Sequence, residues 1–354
     1  MLMSEPQRDG AKAGGLDTGA AAVSGDAERA VPSSGGTMRA ARLHGPGDVR
    51  IEEVPLPEPG PGEVRIRLTG CGVCASNLAA WEGTPWMQYP QEPGSPGHEG
   101  WGIVDAVGSD VDGVAPGDRV AALSYRAYAE YDVAPATHVV PLPAELAKTP
   151  FPGEPLGCAM NIFRRSGIGE GHTVGIVGIG FLGALLTKLA KDAGARVIAI
   201  SRRPFSLDVA RSMGADETIP MDDHWQIIER VKQLTGGELC DRVIEAVGKQ
   251  WPLDLSAEIT RERGRLIIAG YHQDGPRQVN MQMWNWRGLD VINAHERDPQ
   301  VYLDGIRAAV DAVANGRLDP SPLYTHTYSL DQLGEALEAT RTRPDGFLKA
   351  LVTP

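Results

Sequence analysis

At 354 residues and 42% hydrophobic content, the chain is long enough for two folded domains and apolar enough to give each a core. Its net charge of −12 argues against nucleic acid or an anionic membrane as a main partner, and no apolar run approaches the roughly 20 residues that span a bilayer. Four unevenly spaced cysteines do not form a secreted disulfide framework, so a reducing, cytoplasmic setting is expected.

Residues 1–37 are rich in Gly, Ala, Ser and Asp and lack aromatics and apolar periodicity. Such a segment cannot bury enough surface to offset its ordering entropy, and it lacks the basic start and apolar core of a signal peptide. A disordered tail is expected there, with the folded protein starting near Met38. From Met38 to about Pro143, strand-like runs at Val49 to Val54, Glu63 to Leu68, Gly102 to Val107 and Arg119 to Leu123 are punctuated by Pro-Gly turns. A mostly β domain over 38–155 is predicted.

Over 156–297 strands alternate with helices, the strands being 173–177, 196–200, 241–247, 265–269 and 289–293. That alternation implies a doubly wound parallel sheet, an α/β arrangement. Beyond Asp298, in 298–354, two amphipathic stretches (Val301 to Ala314, Leu330 to Thr342) precede an apolar run, Phe347 to Val352. The run is expected to return as a strand to the β domain.

The most informative segment is Gly178-Ile179-Gly180-Phe181-Leu182-Gly183. A buried strand runs into it, and an apolar helical pattern with Leu185, Leu186 and Leu189 follows. Strand, glycine turn and helix form a dinucleotide-binding fingerprint, in which the helix N-terminus meets the pyrophosphate. Val247, Ala269 and Gly270, at the ends of later strands, are expected to line the same cofactor. The next strand ends at Ser201-Arg202-Arg203, where an NAD site usually keeps an acid about twenty residues beyond the glycines. A carboxylate would repel a 2′-phosphate and arginine grips one, so NADP(H) is favoured over NAD(H). Otherwise the arginines are solvated charges at a strand end.

Three stretches carry donors suited to a catalytic zinc: Cys71 to Asn77, with Cys74; Gly94 to Gly100, with His98 and Glu99; and Gly153 to Cys158, with Glu154. Each has a plainer reading. A buried cysteine is a small hydrophobe, a lone histidine is satisfied in the core, and Glu154 suits a helix start. Cys71 and Cys74 also spell a CxxC dithiol, which would leave His98 and Glu99 unexplained.

In order along the chain, Gly72-Val73-Cys74-Ala75-Ser76-Asn77, Gly97-His98-Glu99-Gly100, Gly117-Asp118-Arg119-Val120, Glu154-Pro155-Leu156 and Gly178 to Gly183 resemble the medium-chain, zinc-dependent alcohol dehydrogenases. Within them the chain is most similar to the sorbitol (polyol) and threonine dehydrogenase branch. The resemblance covers 38–354. It implies a GroES-like catalytic domain, a Rossmann cofactor domain and an active site in the cleft between them. It further implies Cys74 and His98 as zinc ligands, Glu99 as a ligand or the group behind one, and Glu154 at the metal where other members keep a cysteine. Zinc as a Lewis acid would lower the pKa of a bound alcohol, with Ser76 passing on its proton and the nicotinamide taking the hydride; alternatively Ser76 caps the following turn.

The same resemblance makes His295 and Glu296 candidate substrate contacts, unless they simply face solvent. It also implies a homodimer or homotetramer built on the last strand of the sheet. No cysteine lies between Cys74 and Cys158, so the second, structural zinc of many relatives is not expected. Ala79 and Asn77 replace a relay histidine and an aspartate. Aromatics at Trp81, Trp86, Tyr89, Trp284 and Trp286 suit a polyol, cyclitol, amino-alcohol or sugar-like alcohol or ketone substrate, or plain packing. The alternatives are a zinc-free NADPH quinone or enone reductase and a non-catalytic NADP(H)-binding redox protein.

Overall fold

The computed structural model describes residues 36–354. The expected tail lies outside that range except for Gly36 and Thr37, and Thr37 already opens the first strand. The N-terminal part runs β1 (Thr37–Gly45), β2 (Asp48–Pro55), β3 (Glu63–Gly72), a short α1 (Leu78–Glu82), β4 (Gly100–Val107), β5 (Arg119–Ala122), β6 (Tyr131–Pro135) and β7 (Val139–Pro141). Then come α2 (Gly153–Ser166), β8 (Thr173–Val177), α3 (Phe181–Asp192), β9 (Arg196–Ser201), α4 (Pro204–Ser212), β10 (Glu217–Pro220) and α5 (His224–Leu234). The alternation continues with β11 (Cys240–Glu245), α6 (Gln250–Glu258), β12 (Thr260–Ile268), α7 (Met281–Arg287) and β13 (Asp290–Asn293). Last are α8 (Pro299–Ala314), β14 (His326–Ser329), α9 (Leu333–Thr342) and β15 (Ala350–Thr353).

Strands β8 to β13 form one parallel sheet in the order β10-β9-β8-β11-β12-β13. The order reverses between β8 and β11, so the crevice beyond their carboxyl ends is the topological switch point where such sheets bind ligands. The glycine turn leaves β8 there. Gly178 has φ +101°, and a Cβ on it would lie 2.4 Å from Val247; one on Gly183 would lie 2.0 Å from the Gly178 carbonyl oxygen. Nothing lies within 4 Å of the Cβ position of Gly180. Two glycines are thus set by packing and the middle one by open space.

The other main sheet runs β14-β15-β3-β4-β5-β7, with β6 also on β3. The C-terminal strand does return to it, pairing Leu351 with Gly72 and Val352 with Cys71. It begins at Ala350, later than its apolar run suggests: Phe347 closes a turn on the Pro344 carbonyl and packs in the core of this domain, and the Lys349 side chain turns to Glu99. Between the two sheets, α2 and α8 cross closely. A Cβ on Gly157 would meet the Ile306 backbone at 2.8 Å, and Asn161 donates to the Val301 carbonyl at 2.8 Å. One apolar cluster extends from Ala121 and Val140 through Leu156 and Ile306 to Leu185 and Val197, joining the halves. No helix among the described residues is long and apolar enough to cross a membrane.

The glycine turn offers a paired test. Gly183→Ala should cost about 1–3 kcal/mol by overpacking, read as a lower denaturation midpoint. Gly180→Ala should leave the midpoint unchanged and weaken dinucleotide binding alone. Equal stability of the two variants would contradict this assignment of roles.

Candidate active site

Strand pairing assembles the first cluster. Cys71 of β3 lies opposite Gly100 of β4, so the residues leaving β3 and those entering β4 meet at one end of the sheet. Cys74 stands at the start of a 3-10 turn, Ala75–Asn77, while His98 and Glu99 immediately precede β4. One donor atom each of Cys74, His98 and Glu99 lies within 4.8 Å of the others. Cys71 points away into the β core, 1% exposed, and its thiol is pushed well up by burial. All four cysteines are free, and Cys71 has the environment of a core residue rather than of a redox partner.

Asn77 organises this corner. Its side chain is buried, donates to the Pro96 carbonyl at 3.0 Å and accepts from the Cys74 N–H at 3.3 Å and the Tyr128 hydroxyl at 2.8 Å. His98 Nδ1 lies 2.9 Å from the same Pro96 carbonyl. Donation there fixes the tautomer and leaves Nε2 for the cluster, the usual way a protein aims a metal-ligating imidazole. Burial works to lower the His98 pKa, but the bond to Cys74 and the charges of Cys74, Glu154 and Glu99 overcome it and push it up to about 10. A positive charge among these donors is strongly favoured. Thiol, imidazole and carboxylate in such a field fit a zinc ion.

Glu99 is fully buried and held by Lys349, whose Nζ is 2.6 Å from one carboxylate oxygen and 2.5 Å from the other. Lys349 also donates to the Val73 carbonyl and lies over the Phe181 ring, 5.1 Å from its centroid. Gly72 makes room: a Cβ there would fall 1.8 Å from Glu99 Oε2. Glu154, in the first turn of α2, lies outside the 4.8 Å triad. It accepts from the Cys158 thiol one turn later, at 3.1 Å. Burial raises the Glu154 pKa, while the His98 charge opposes that rise. Tyr302 of α8 is close enough for Cys158 and Glu154 to add to the burial that raises its hydroxyl pKa.

The cofactor-side candidates gather around the switch point. Glu245, buried at the end of β11, accepts from the Val247 and Gly248 N–H groups and faces His272 at 3.0 Å. A Cβ on Gly270 would lie 2.6 Å from the same carboxylate. The loops bearing Val247, Ala269 and Gly270 are therefore fixed by one residue that sequence reasoning missed, the first through the Glu245 carboxylate and the second through its backbone carbonyl, which accepts from the Ala269 and Gly270 N–H groups. His295 Nε2 lies 3.2 Å from the Gly270 carbonyl, and burial lowers its pKa. Glu296 accepts from the N–H groups of Arg297 and Asp298, at 2.8 and 3.1 Å. Ser76 is half-buried on the 3-10 turn, whose Ala75 carbonyl accepts from Gln273 of the cofactor half.

Ser201 is buried at the tip of β9, with Arg202 exposed and Arg203 half-buried beside it. The tryptophans are not brought together. Trp81 donates to Glu338 of α9, Trp284 lines a groove with His224 and Trp251, and Trp286 is 84% exposed.

The Glu99–Lys349 pair gives a sharp expectation. Lys349→Met should cost about 3–5 kcal/mol by leaving a buried carboxylate unpaired, and adding Glu99→Gln should recover most of it in a denaturation cycle. Burial acts to lower the Lys349 pKa, but the charge of Glu99 wins and the net shift is upward. Its contribution is therefore intact at neutral pH and lost only as pH climbs past the ordinary lysine value of about 10.4 towards the raised one. Additive single variants would show that the pair is not coupled.

Two family models match the chain: the alcohol dehydrogenase GroES-like domain over residues 60–144 and the zinc-binding dehydrogenase model over 182–311. Cys74, His98 and Glu99 lie in the first, the strand tip at Ser201 in the second, and Glu154 between them. The chain is 27% identical over 345 residues to sorbitol dehydrogenase of Gallus gallus, covering 86% of this chain and 94% of that one. It is 26% identical over 363 residues to (R,R)-butanediol dehydrogenase of Neisseria gonorrhoeae, covering 90% and 99%. A Sinorhizobium meliloti protein described as a zinc-binding dehydrogenase and solved bound to NADP superposes with a TM-score of 0.79. It is 27% identical, over 90% of this chain and 99% of that one. With both halves matched in order, and polyol and diol dehydrogenases running along most of its length, the chain belongs to the medium-chain zinc-dependent alcohol dehydrogenase family, in its sorbitol-dehydrogenase-like branch, and is an alcohol oxidoreductase.

Proposed function

We propose that the protein transfers hydride between NADP(H) and a secondary alcohol or ketone of polyol, cyclitol, amino-alcohol or sugar-like type, at a single zinc. The carrying observation is the convergence of Cys74 and His98 with buried Glu99 behind them and Glu154 acting on the same imidazole, in a field that raises its pKa to about 10. Cys74 and His98 are the proposed protein ligands, with Glu154 completing the set. Both oxygens of Glu99 already face an ammonium, which suits it to a place behind the metal, whereas the cationic charge acting most strongly on Glu154 is that of His98. The zinc would supply Lewis acidity towards the substrate oxygen, and the nicotinamide a hydride acceptor.

The chain's own residues do the rest. Asn77 and the Pro96 carbonyl hold the imidazole in its ligating tautomer. Ser76, on the turn beside Cys74, is the proposed hydroxyl that takes the substrate proton. Neither Asn77 nor buried Ala79 has a titratable group to carry it further. Gly180 leaves backbone open to the pyrophosphate, and Ser201 with Arg202 and Arg203 accommodates the 2′-phosphate. His295, held on the Gly270 carbonyl, and Glu296 are the proposed substrate contacts from the cofactor half. The free edge of β13 would pair with a second copy to give a dimer or tetramer. The four free cysteines suit a reducing cytoplasm.

Metal analysis tests the core of this proposal. Cys74→Ser and His98→Ala should each lose zinc and turnover together while retaining nucleotide binding. Because zinc must displace a proton held up to about pH 10 at His98, zinc affinity of the stripped protein should rise with pH across that range. Full activity after exhaustive chelation would favour a zinc-free reductase instead. For the cofactor, Ser201→Asp with Arg202→Ala should swing preference towards NAD(H), chiefly through KM. A charge-assisted contact of about 1.5–3 kcal/mol corresponds to roughly ten- to over a hundredfold. A wild type preferring NAD⁺ tenfold in kcat/KM would remove the basis for NADP(H).

A further inference from the structure

The wall facing the tip of β9 belongs to the C-terminal segment. Helix α9 ends at Thr342, and Arg343 caps it with φ +50°, its N–H bonded to the Ala339 carbonyl at 2.8 Å. Glycine takes this left-handed position without strain and is the usual occupant, whereas an arginine there is held against a steric penalty. The following turn closes with the Phe347 N–H on the Pro344 carbonyl, at 3.0 Å. Arg203 then donates to the Phe347 carbonyl at 2.5 Å, tying turn and strand tip across 144 positions of sequence.

That tie sets the turn that follows Arg343 beside the strand tip carrying Arg202 and Arg203. The Arg203 pKa is lowered, by burial first and then by the charge of Arg343, with Asp345 opposing and Arg202 adding. Arg343 is exposed overall, yet its pKa is also lowered, by desolvation first and by Arg202 second. Nearby arginines behave differently: Arg211 pairs with Asp208 and Arg341 with Glu338, each on its own helix. Among the described residues, Arg202, Arg203 and Arg343 have no carboxylate within 4 Å. Asp345 acts on Arg203 from beyond ion-pair distance, so in a chain of net charge −12 three crowded cations outnumber the acid beside them and mark a place where an anion is wanted.

We propose that Arg343 is a cofactor-specificity residue, a third guanidinium that reaches from the C-terminal segment to the 2′-phosphate held by Ser201, Arg202 and Arg203. The proposal rests on the NADP(H) assignment of the strand tip and adds to it a residue from outside the cofactor sheet. Arg202 and Arg203 are both supplied by the strand tip, and Arg203 is also engaged with the Phe347 carbonyl. Arg343 comes from a second segment, the turn that Arg203 holds, and provides a further planar donor fork. The cofactor would then bridge the C-terminal segment and the sheet through the same phosphate that distinguishes it from NAD(H).

Calorimetry with 2′,5′-ADP, 5′-AMP and inorganic phosphate tests this without turnover. Arg343→Gly removes the guanidinium while easing the left-handed backbone, so the fold should be retained or slightly stabilised. It should weaken 2′,5′-ADP about tenfold and leave 5′-AMP unchanged, with Arg343→Lys in between. Unchanged 2′,5′-ADP affinity in Arg343→Gly, with Arg202→Ala clearly weakened, would overturn the role of Arg343 and leave the NADP(H) assignment standing. A wild type that does not distinguish 2′,5′-ADP from 5′-AMP would remove both. Inorganic phosphate bound as tightly as 2′,5′-ADP, and lost in Arg343→Gly, would make this a general anion site and overturn the proposal.

Discussion

The buried contact between Glu99 and Lys349 is the interaction around which the site is arranged. A carboxylate removed from water needs a partner of opposite charge and good geometry, or it is strongly destabilising. Glu99 obtains that partner from a residue 250 positions away. The same ammonium bonds the Val73 carbonyl at the start of the Cys74 turn and covers Phe181, the first residue of α3. One lysine therefore links the β3 end, the β4 entry, the C-terminal segment and the start of the cofactor-binding helix. The return of β15 to pair with β3 places it there. The C-terminal strand completes the charge balance of the site as well as a sheet.

Charge is distributed along the cleft in two opposed clusters. Around Cys74 a thiol and buried carboxyl groups gather about one imidazole, and the raised His98 pKa records how strongly they favour a cation. At the tip of β9 the sign is reversed: burial first, and then neighbouring guanidinium charge, lowers the Arg203 and Arg343 pKa values. A ligand set that wants a divalent cation at one end, and a guanidinium cluster that wants a phosphate at the other, suits an extended cofactor with its reactive ring and its 2′-phosphate far apart. Between them Glu245 is satisfied entirely by backbone N–H groups and His272, so it shapes the loops without adding a free charge.

What the sequence made legible was local. The strand, glycine turn and helix around Gly178 to Gly183 occupy one continuous stretch, and their spacing carries the steric reasons for each glycine. Cys74, His98 and Glu99 were legible as motifs because β3 and β4 bring two short segments to one sheet end. Strands β1, β6, β7, β10 and β14 were not read from the sequence; β10 and β14 have only four residues each, Glu217 to Pro220 and His326 to Ser329, with polar residues or proline where alternation would be read. Lys349, Tyr128 and the Glu245–His272 pair were missed for another reason. Each acts across 27 or more positions, and nothing local marks a lysine in an apolar run as a buried counter-ion. The tryptophans err in the opposite direction, since nearness in composition did not become nearness in space.

Asn77 shows how a departure from a family pattern can be resolved by geometry. Beside a cluster already holding Cys74, Glu99 and Glu154, an aspartate would add another buried negative charge and could only accept hydrogen bonds. The amide can do both. It donates to the Pro96 carbonyl while its oxygen receives the Cys74 N–H and the Tyr128 hydroxyl. Tyr128 is fully buried, and burial pushes its hydroxyl pKa well up, so it remains a donor and needs an acceptor at this spot. The asparagine thus satisfies three partners that a carboxylate could not satisfy together. In doing so it fixes the carbonyl that orients His98, which makes it a positioning residue for the proposed metal site.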